Sequence, residues 1–132
     1  AALGIAFGWL AVAFFAFQSA IAIQELEMIN YVEHYGLMRR KLPNGRYENV
    51  TAAHSWEARE ALTNMLLIKL QRHADHHINP IRRYQSLRVF DESPQMPTGY
   101  PGMMLMSLVP PLFFRIMNPR VDEHERRLAQ SD

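Results

Sequence analysis

The sequence has no cysteine, and its first 23 residues carry no charged side chain. The absence of cysteine excludes a disulfide framework, a thiolate metal site and a cysteine nucleophile, so any metal must be bound by His, Asp or Glu. All 14 basic and 13 acidic side chains lie beyond position 23, which excludes a uniform soluble globule and a disordered chain. A net charge of +1 gives no general attraction to nucleic acid, which is therefore not an expected partner.

The uncharged N-terminal run is long enough to cross a membrane. Only Gln18 and Ser19 are polar in residues 1–23, and a helix of that length extends about 34 Å, against about 30 Å for a hydrocarbon core. No basic region precedes the run and no clear cleavage motif ends it, which argues against a signal peptide. The run predicts a transmembrane helix. Because the chain begins without Met inside this run, we expect it to be part of a longer protein.

The region after the run predicts a helix, a turn and a second helix. Helical periodicity continues through residues 24–37, where Gly36 is the expected stop, and Asn44-Gly45 is typical of a tight hairpin turn. Residues 55–77 predict one long helix with an inward stripe of leucines, which ends before Pro80. The stripe consists of Leu62, Leu66 and Leu70.

The C-terminal third is punctuated by proline. Residues 100–114 are apolar and rich in Met, but the Pro110-Pro111 pair makes them too short and too broken to span a membrane. We expect them to pack on the membrane surface or against other helices. Residues 122–132 predict a charged tail.

Histidines are concentrated between positions 34 and 77, where five of the six lie. On a helix, His73, His76 and His77 fall within a sector of about 100°. Neutral imidazole is the commonest protein ligand for Zn, Fe, Cu and Ni, so three rings on one face predict a metal site. The alternative is a solvated helix end, at which histidines interact favourably with the helix dipole.

His34 is the expected fourth ligand. Glu27, Asn30 and Tyr31 share its helical face, and such groups commonly hold the second ring nitrogen of a metal-binding histidine. Equally, His34 could cap carbonyl groups at the helix end without binding metal.

The other two histidines have different expected roles. His54 lies near a predicted helix start and is expected to support the site or the fold rather than bind metal, and His124 is expected to be solvated in the charged tail. The expected supporting residues are Glu27, Asn30, Glu33, His54 and Asp75.

Two segments resemble the C-terminal histidine motifs of the integral-membrane alkane 1-monooxygenases. They are Asn30-Tyr31-Val32-Glu33-His34-Tyr35-Gly36-Leu37 and Leu70-Gln71-Arg72-His73-Ala74-Asp75-His76-His77. Residues 45–48, 54–56, 80–87 and 97–100 are similar too, and the resemblance covers nearly all of residues 30–121. The sequence departs from the family at Ala74, where Ser is usual, and at Glu57, where Asn is usual. The family's two upstream histidine boxes are not in this sequence.

The resemblance implies a non-haem di-iron site in a bundle of transmembrane helices, on the cytoplasmic side of the inner membrane. Such enzymes activate dioxygen and insert one oxygen atom into the terminal methyl group of a medium-chain alkane, with electrons from reduced rubredoxin. His34, His73, His76 and His77 match ligand positions of the family, and no catalytic residue beyond the ligands is expected. The remaining ligands would lie in a missing N-terminal part of the same multi-pass enzyme.

Two basic clusters near the motifs are candidates for docking the electron donor, since rubredoxins are typically acidic. Membrane lipid is an equally plausible partner for them, and so is internal pairing with Asp75, Asp91 or Glu92. The first cluster, just after the apolar run, also favours a cytoplasmic location. The clusters are Arg39, Arg40 and Lys41, and Arg82, Arg83 and Arg88.

We therefore expect an all-α membrane protein, in which a transmembrane helix extends into the cytosol and a mainly helical, histidine-bearing cytosolic region with a small hairpin follows. Residues 1–38 would form the helix and its extension, and residues 39–132 a metal-binding cap, both within one larger catalytic domain. The alternatives are a related membrane hydroxylase of aromatic methyl groups, a fatty acyl desaturase, and a non-catalytic, membrane-anchored metal-binding module. Substrate-channel residues would distinguish the enzymes, and iron content with oxygen-dependent hydroxylation would separate the non-catalytic module from an enzyme.

Overall fold

Helices dominate the computed structural model of the chain, which describes residues 2–131. Two 3₁₀ turns, Ala52–His54 and Tyr84–Ser86, lie between the α-helices, and the described residues contain isolated β-bridges but no β-strand. The all-α prediction is therefore confirmed. The α-helices are α1 (Ala2–His34), α2 (Ala61–Leu66), α3 (His73–Ile78), α4 (Tyr100–Ser107) and α5 (Pro110–Ser131).

Helix α1 is long and apolar enough to cross a membrane, as predicted. Its large side chains, such as Phe7, Trp9 and Phe14, are exposed along the apolar run. Gly8, with φ 80° and ψ 175°, interrupts the helix. The unbroken part from Trp9 to His34 is about 39 Å long at 1.5 Å per residue, and its uncharged residues 9–23 account for about 22 Å of that length.

The predicted helix stop and hairpin are both confirmed. Gly36 follows α1 with φ 71°, a conformation that disfavours other residues, and a Cβ at this position would lie 2.6 Å from Val121 Cγ2. The hairpin is reduced to one antiparallel bridge between Lys41 and Tyr47, closed by a hydrogen bond from Gly45 N to Leu42 O of 2.9 Å.

The single helix predicted for residues 55–77 is wrong. The chain instead forms α2 and α3, separated by Ile68 and Lys69 with φ values of 52° and 59°, which a right-handed helix cannot contain. The predicted inward stripe is also wrong, because Leu62 and Leu66 are 64% and 67% exposed.

Buried polar contacts explain the break. Gln71 is fully buried, and its side chain accepts a hydrogen bond from Tyr100 N (2.6 Å) and donates one to Thr63 Oγ1 (2.9 Å). Asn64 O also accepts a hydrogen bond from Lys69 N (2.7 Å). These hydrogen bonds pair backbone and side-chain groups in a way that a continuous helix does not allow. They therefore break the helix that the local periodicity of residues 55–77 predicts.

Residues just before α2 are extended rather than helical. Trp56 N donates to Glu33 O, and Trp56 Nε1 donates to Tyr35 O, each at 2.8 Å. Glu57 forms a parallel bridge with Gln95. The extended segment therefore attaches the end of α1 to the chain that precedes α4.

Helices α4 and α5 pack on the C-terminal part of α1. The break predicted near Pro110 is confirmed, since α4 ends at Ser107 and α5 begins at Pro110. Phe113 of α5 contacts Tyr31 of α1 and Tyr35, the residue after α1, with ring centroids 5.5 and 4.8 Å apart. The buried core cluster consists of Val32, Trp56, Ala58, Met96, Tyr100, Met103, Phe113 and Met117.

The charged tail predicted for residues 122–132 is helical, since residues 122–131 continue α5, and residue 132 lies outside the described residues. His124, expected to be solvated, is buried, and its Nε2 lies 2.9 Å from Ala53 O. Packing against the 3₁₀ turn Ala52–His54 holds this part of α5 in place. The local charge pattern of residues 122–132 does not predict this contact.

Candidate metal centre

Three histidines from two helices converge at the end of α1. His34 is the last residue of α1, and His73 and His77 lie one turn apart in α3. One nitrogen from each ring lies within 4.8 Å of the others. The ring centroids are 5.3 Å apart for His34 and His73, 5.1 Å for His34 and His77, and 4.3 Å for His73 and His77. We call these three residues the histidine cluster.

A backbone carbonyl orients the His34 ring. His34 Nδ1 lies 3.1 Å from His54 O, and because a carbonyl only accepts, Nδ1 carries the proton and Nε2 keeps its lone pair. His77 Nε2 lies 3.2 Å from this Nε2. The lone pair of His34 therefore points toward His77.

A buried carboxylate orients the His73 ring. Glu33 is only 2% exposed, and its Oε2 lies 3.2 Å from His73 Nε2. A hydrogen bond from Nε2–H to this oxygen leaves the lone pair of His73 on Nδ1. Pairing a ring nitrogen with a carboxylate is a common way to fix the tautomer of a metal-binding histidine.

Desolvation favours the neutral forms of His73 and His77. Desolvation, and then the charges of the neighbouring histidines, lower the pKa of His73 to about 3. The same causes lower the pKa of His77. Neutral imidazole is the form that binds metal, so both rings are ready ligands near neutral pH.

His76, the remaining predicted ligand, lies at the edge of the cluster. Its ring centroid is 5.9 Å from that of His73 and 6.2 Å from that of His77, and its side chain is exposed. It is not among the three residues whose nitrogens lie within 4.8 Å of one another.

The predicted supporting residues divide into two groups. Glu33 contacts the cluster through its side chain, and His54 contacts it through its carbonyl, while the His54 ring engages Glu48 Oε1 (3.1 Å) and Thr51 N (3.0 Å). Glu27 and Asn30 are exposed, and within residues 2–131 no hydrogen bond joins them to a histidine.

Asp75, the last predicted supporting residue, is fully buried and contacts the segment after α3 rather than the cluster. It accepts hydrogen bonds from Asn79 Nδ2 and Arg88 N, each at 2.8 Å. Arg82 Nε and Arg88 Nη2 lie 3.5 Å from its oxygens. Internal pairing, one of the expected alternatives for these arginines, therefore accounts for Arg82 and Arg88.

The other predicted docking residues are exposed. Arg40 forms an ion pair with Glu48 (3.2 Å), and the guanidinium of Arg39 lies 5.6 Å from the centroid of the Tyr47 ring. Lys41 and Arg83 are also exposed. Asp91 pairs with Arg59 at 2.9 Å, not with either basic cluster.

Sequence reasoning missed Tyr100 and Gln71. The Tyr100 hydroxyl is buried beside the Glu33 carboxylate, and Gln71 binds the Tyr100 backbone. Both residues lie in segments already singled out, 97–100 and 70–77, but only the tertiary packing places them behind the cluster.

The donor set fits a transition metal. Three imidazoles with converging ring nitrogens, backed by a carbonyl and a buried carboxylate, suit Fe, Zn, Cu or Ni. Glu33 Oε1 is buried without a hydrogen-bond partner, which shows that the carboxylate has capacity beyond His73. The three residues alone do not select iron over the other metals.

Comparison with known proteins places the chain in a family. The fatty acid desaturase family model matches residues 1–106. Alkane 1-monooxygenase 2 of Pseudomonas aeruginosa is 56% identical over 117 residues, which cover 89% of this chain and 31% of the relative. Alkane 1-monooxygenase 2 of Alcanivorax borkumensis is 52% identical over 124 residues, which cover 94% of this chain and 32% of the relative.

A more distant relative is the hydroxylase component of xylene/toluene monooxygenase of Pseudomonas putida. It is 30% identical over 105 residues, which cover 79% of this chain and 27% of the relative. The chain thus spans about 30% of the length of the curated relatives it matches. It belongs to the fatty acid desaturase family, and within that family its close homologues are the alkane 1-monooxygenases.

Proposed function

We propose that the chain is the C-terminal part of a membrane monooxygenase that hydroxylates the terminal methyl group of medium-chain alkanes. The observation that carries the proposal is the convergence of His34, His73 and His77, inside a segment about half identical to alkane 1-monooxygenases. The proposed co-substrate is dioxygen, and the proposed electron donor is rubredoxin.

The proposed cofactor is a non-haem di-iron centre. His34, His73, His76 and His77 are its proposed ligands in this chain, and further ligands would come from the rest of a longer protein. When bound, the iron supplies the activation of dioxygen. Relatives about three times as long as this chain leave ample sequence for those ligands.

The chain's own residues hold the ligands and bring the substrate to them. His54 O and Glu33 fix which ring nitrogens of His34 and His73 face the metal. The exposed apolar face of α1 leads from lipid toward the cluster, and His34 lies about 16 Å beyond the apolar run along the helix axis. An alkane dissolved in the bilayer would therefore approach the site along this helix.

We place the site on the cytoplasmic side of the inner membrane, in a multi-pass protein. The basic residues 39–41, just beyond α1, favour that orientation. In this arrangement residues 1–38 are the membrane helix with its extension, and residues 39–132 form a cap within one larger catalytic domain.

A test of the function compares the intact protein with His77→Ala in octane oxidation. We expect the intact protein to bind iron and to incorporate labelled oxygen from dioxygen into the terminal alcohol, and His77→Ala to abolish turnover and lower bound iron. His124→Gln is a matched control, because its amide retains a donor toward Ala53 O.

Three other results would each contradict part of the proposal. Desaturation of an acyl chain without octane oxidation would favour a desaturase, as the family model allows. Hydroxylation of xylene in preference to octane would favour an enzyme like the aromatic relative. Iron and turnover that both survive His77→Ala would show that the ligand assignment is wrong.

A further inference from the structure

Tyr100 presents a buried hydroxyl to the back of the histidine cluster. It is the first residue of α4, is fully buried, and its hydroxyl has no hydrogen bond of normal geometry. Buried hydroxyl groups nearly always form a hydrogen bond, so a buried hydroxyl without one calls for a nearby acceptor.

The Glu33 carboxylate interacts electrostatically with this hydroxyl. Glu33 Oε2 faces His73 Nε2, whereas Glu33 Oε1 is buried with no hydrogen-bond partner. Burial, and then the adjacent Glu33 carboxylate, raise the pKa of Tyr100. The hydroxyl therefore stays protonated and is the donor that the free carboxylate oxygen lacks.

Tyr100 is held firmly enough to position another group. Its backbone N donates to Gln71 Oε1 at 2.6 Å, and Gln71 lies two residues before His73. At the preceding residue, a Cβ on Gly99 would lie 2.7 Å from Thr63 Oγ1, so the backbone fits closely against α2. The Tyr100 ring packs in the same core cluster as Val32, the neighbour of Glu33.

We propose that Tyr100 is a positioning residue of the metal centre, which acts through Glu33. Its hydroxyl donates to Glu33 Oε1 after a small rotation, and this holds Oε2 against His73 Nε2. The carboxylate then presents one fixed nitrogen of His73 to the metal. The proposal rests on the metal centre of the proposed function and adds a residue that makes no contact with the metal.

The test measures metal binding by the intact, detergent-purified protein, with Co²⁺ as the probe because its visible absorption reports ligand geometry. Tyr100→Phe removes only the hydroxyl, and we expect it to weaken Co²⁺ binding about 10- to 100-fold and to change the absorption spectrum. Tyr35→Phe is the matched control, because the Tyr35 hydroxyl donates to Asn118 Oδ1 at 2.6 Å. We expect this control to match the wild type.

A double-mutant cycle separates positioning from a general effect on the fold. In a Glu33→Ala background, Tyr100→Phe should cause no further loss of Co²⁺ affinity, because the group through which it acts is gone. An equal loss in both backgrounds, or wild-type affinity and spectrum in Tyr100→Phe, would overturn the proposal. Should Tyr100→Phe not fold, wild-type Co²⁺ affinity in Glu33→Gln would overturn it instead. If the wild type does not bind Co²⁺, the proposed metal centre is wrong, and this result contradicts the proposed function rather than the role of Tyr100 alone.

Discussion

Glu57 is a deeply buried carboxyl group whose oxygens lack hydrogen-bond partners. It is 1% exposed, and neither carboxylate oxygen has a hydrogen bond of normal geometry. Burial raises the pKa of its carboxyl to about 7, although the Phe90 N–H and the Arg59 and Arg72 guanidinium groups act in the opposite direction. An uncharged amide of the same shape would avoid the cost of burying this charge.

Glu57→Gln should stabilise the protein above neutral pH. Between pH 4.5 and about 7 the native carboxyl holds a proton that the unfolded chain has released. Stability therefore falls as the pH rises through this range, by roughly 1.4 kcal/mol per unit. Above the range both states are ionised, and the accumulated loss, about 3 kcal/mol, persists.

The check on this prediction is a pH series of unfolding midpoints. Glu57→Gln should flatten the decline between about pH 5 and 7 and raise the midpoint at about pH 8. Glu92→Gln, a change at an exposed carboxylate, serves as the control. Parallel pH curves for wild type and Glu57→Gln would show that Glu57 is not the group responsible.

At the scale of single residues, histidine positions predicted the site well, because few side chains can bind a transition metal. Imidazole groups in two motifs predicted that His34, His73 and His77 belong together, and the structure brings them together. His124 was predicted wrongly, because its partner, Ala53 O, is 71 residues away in sequence. Local charge around a histidine gives no information about such a distant acceptor.

At the scale of elements, the ends of helices were easier to predict than their continuity. Gly36 and Pro80 stop helices through their own backbone geometry, which is a local property, and α1 and α3 end before them as predicted. The break between α2 and α3 depends on Gln71 and Tyr100, which meet across 29 residues. The hydrophobic periodicity of residues 55–77 does not predict that hydrogen bond.

Helix α3 depends on Asp75 for its position. A helix of six residues is far below the length that is stable alone, about 12 to 15 residues. Asp75 ties it to Arg82 and Arg88 in the following segment. The same helix carries His73 and His77, so the carboxylate holds the element that supplies two of the clustered rings.

Asp75→Asn should therefore destabilise the protein by about 1–3 kcal/mol, because it leaves charged partners unpaired beside a buried site. Glu123→Gln is the control, since it breaks an exposed ion pair with Arg127 and should cost less than about 1 kcal/mol. Denaturant unfolding of the three proteins measures the difference. Equal effects of the two substitutions would show that the buried contacts are not what holds α3.

At the scale of the whole molecule, the exposed apolar part of α1 leads into the region where the short helices and α5 pack. That α1 is long and apolar enough to cross a membrane was predictable, because absence of charge over a membrane's thickness is a property of composition alone. The packing of α4 and α5 on α1 was not, since it depends on ring contacts such as that between Tyr35 and Phe113, 4.8 Å apart. The histidine cluster lies where the two parts meet.

The surface charge of the cap determines how an acidic electron donor would be recognised. Arg82 and Arg88 are engaged by Asp75, so their reversal would disturb α3 as well as the surface. Lys41 and Arg83 are exposed and are the sharper choice for a test of docking. Lipid head groups remain the competing partner of the same charges.

Lys41→Glu combined with Arg83→Glu should slow reduction of the intact enzyme by rubredoxin about tenfold at low salt, because opposite charge steers the encounter. The wild-type rate should fall as ionic strength rises, and the variant should lose most of that dependence. Stopped-flow reduction at several salt concentrations measures both effects, with Arg126→Glu, an exposed change in α5, as the control. A reduction rate that is insensitive to salt and to charge reversal would contradict docking of rubredoxin and favour contact of these residues with lipid head groups. The binding of the variant to anionic vesicles would then decrease while its reduction rate stayed the same.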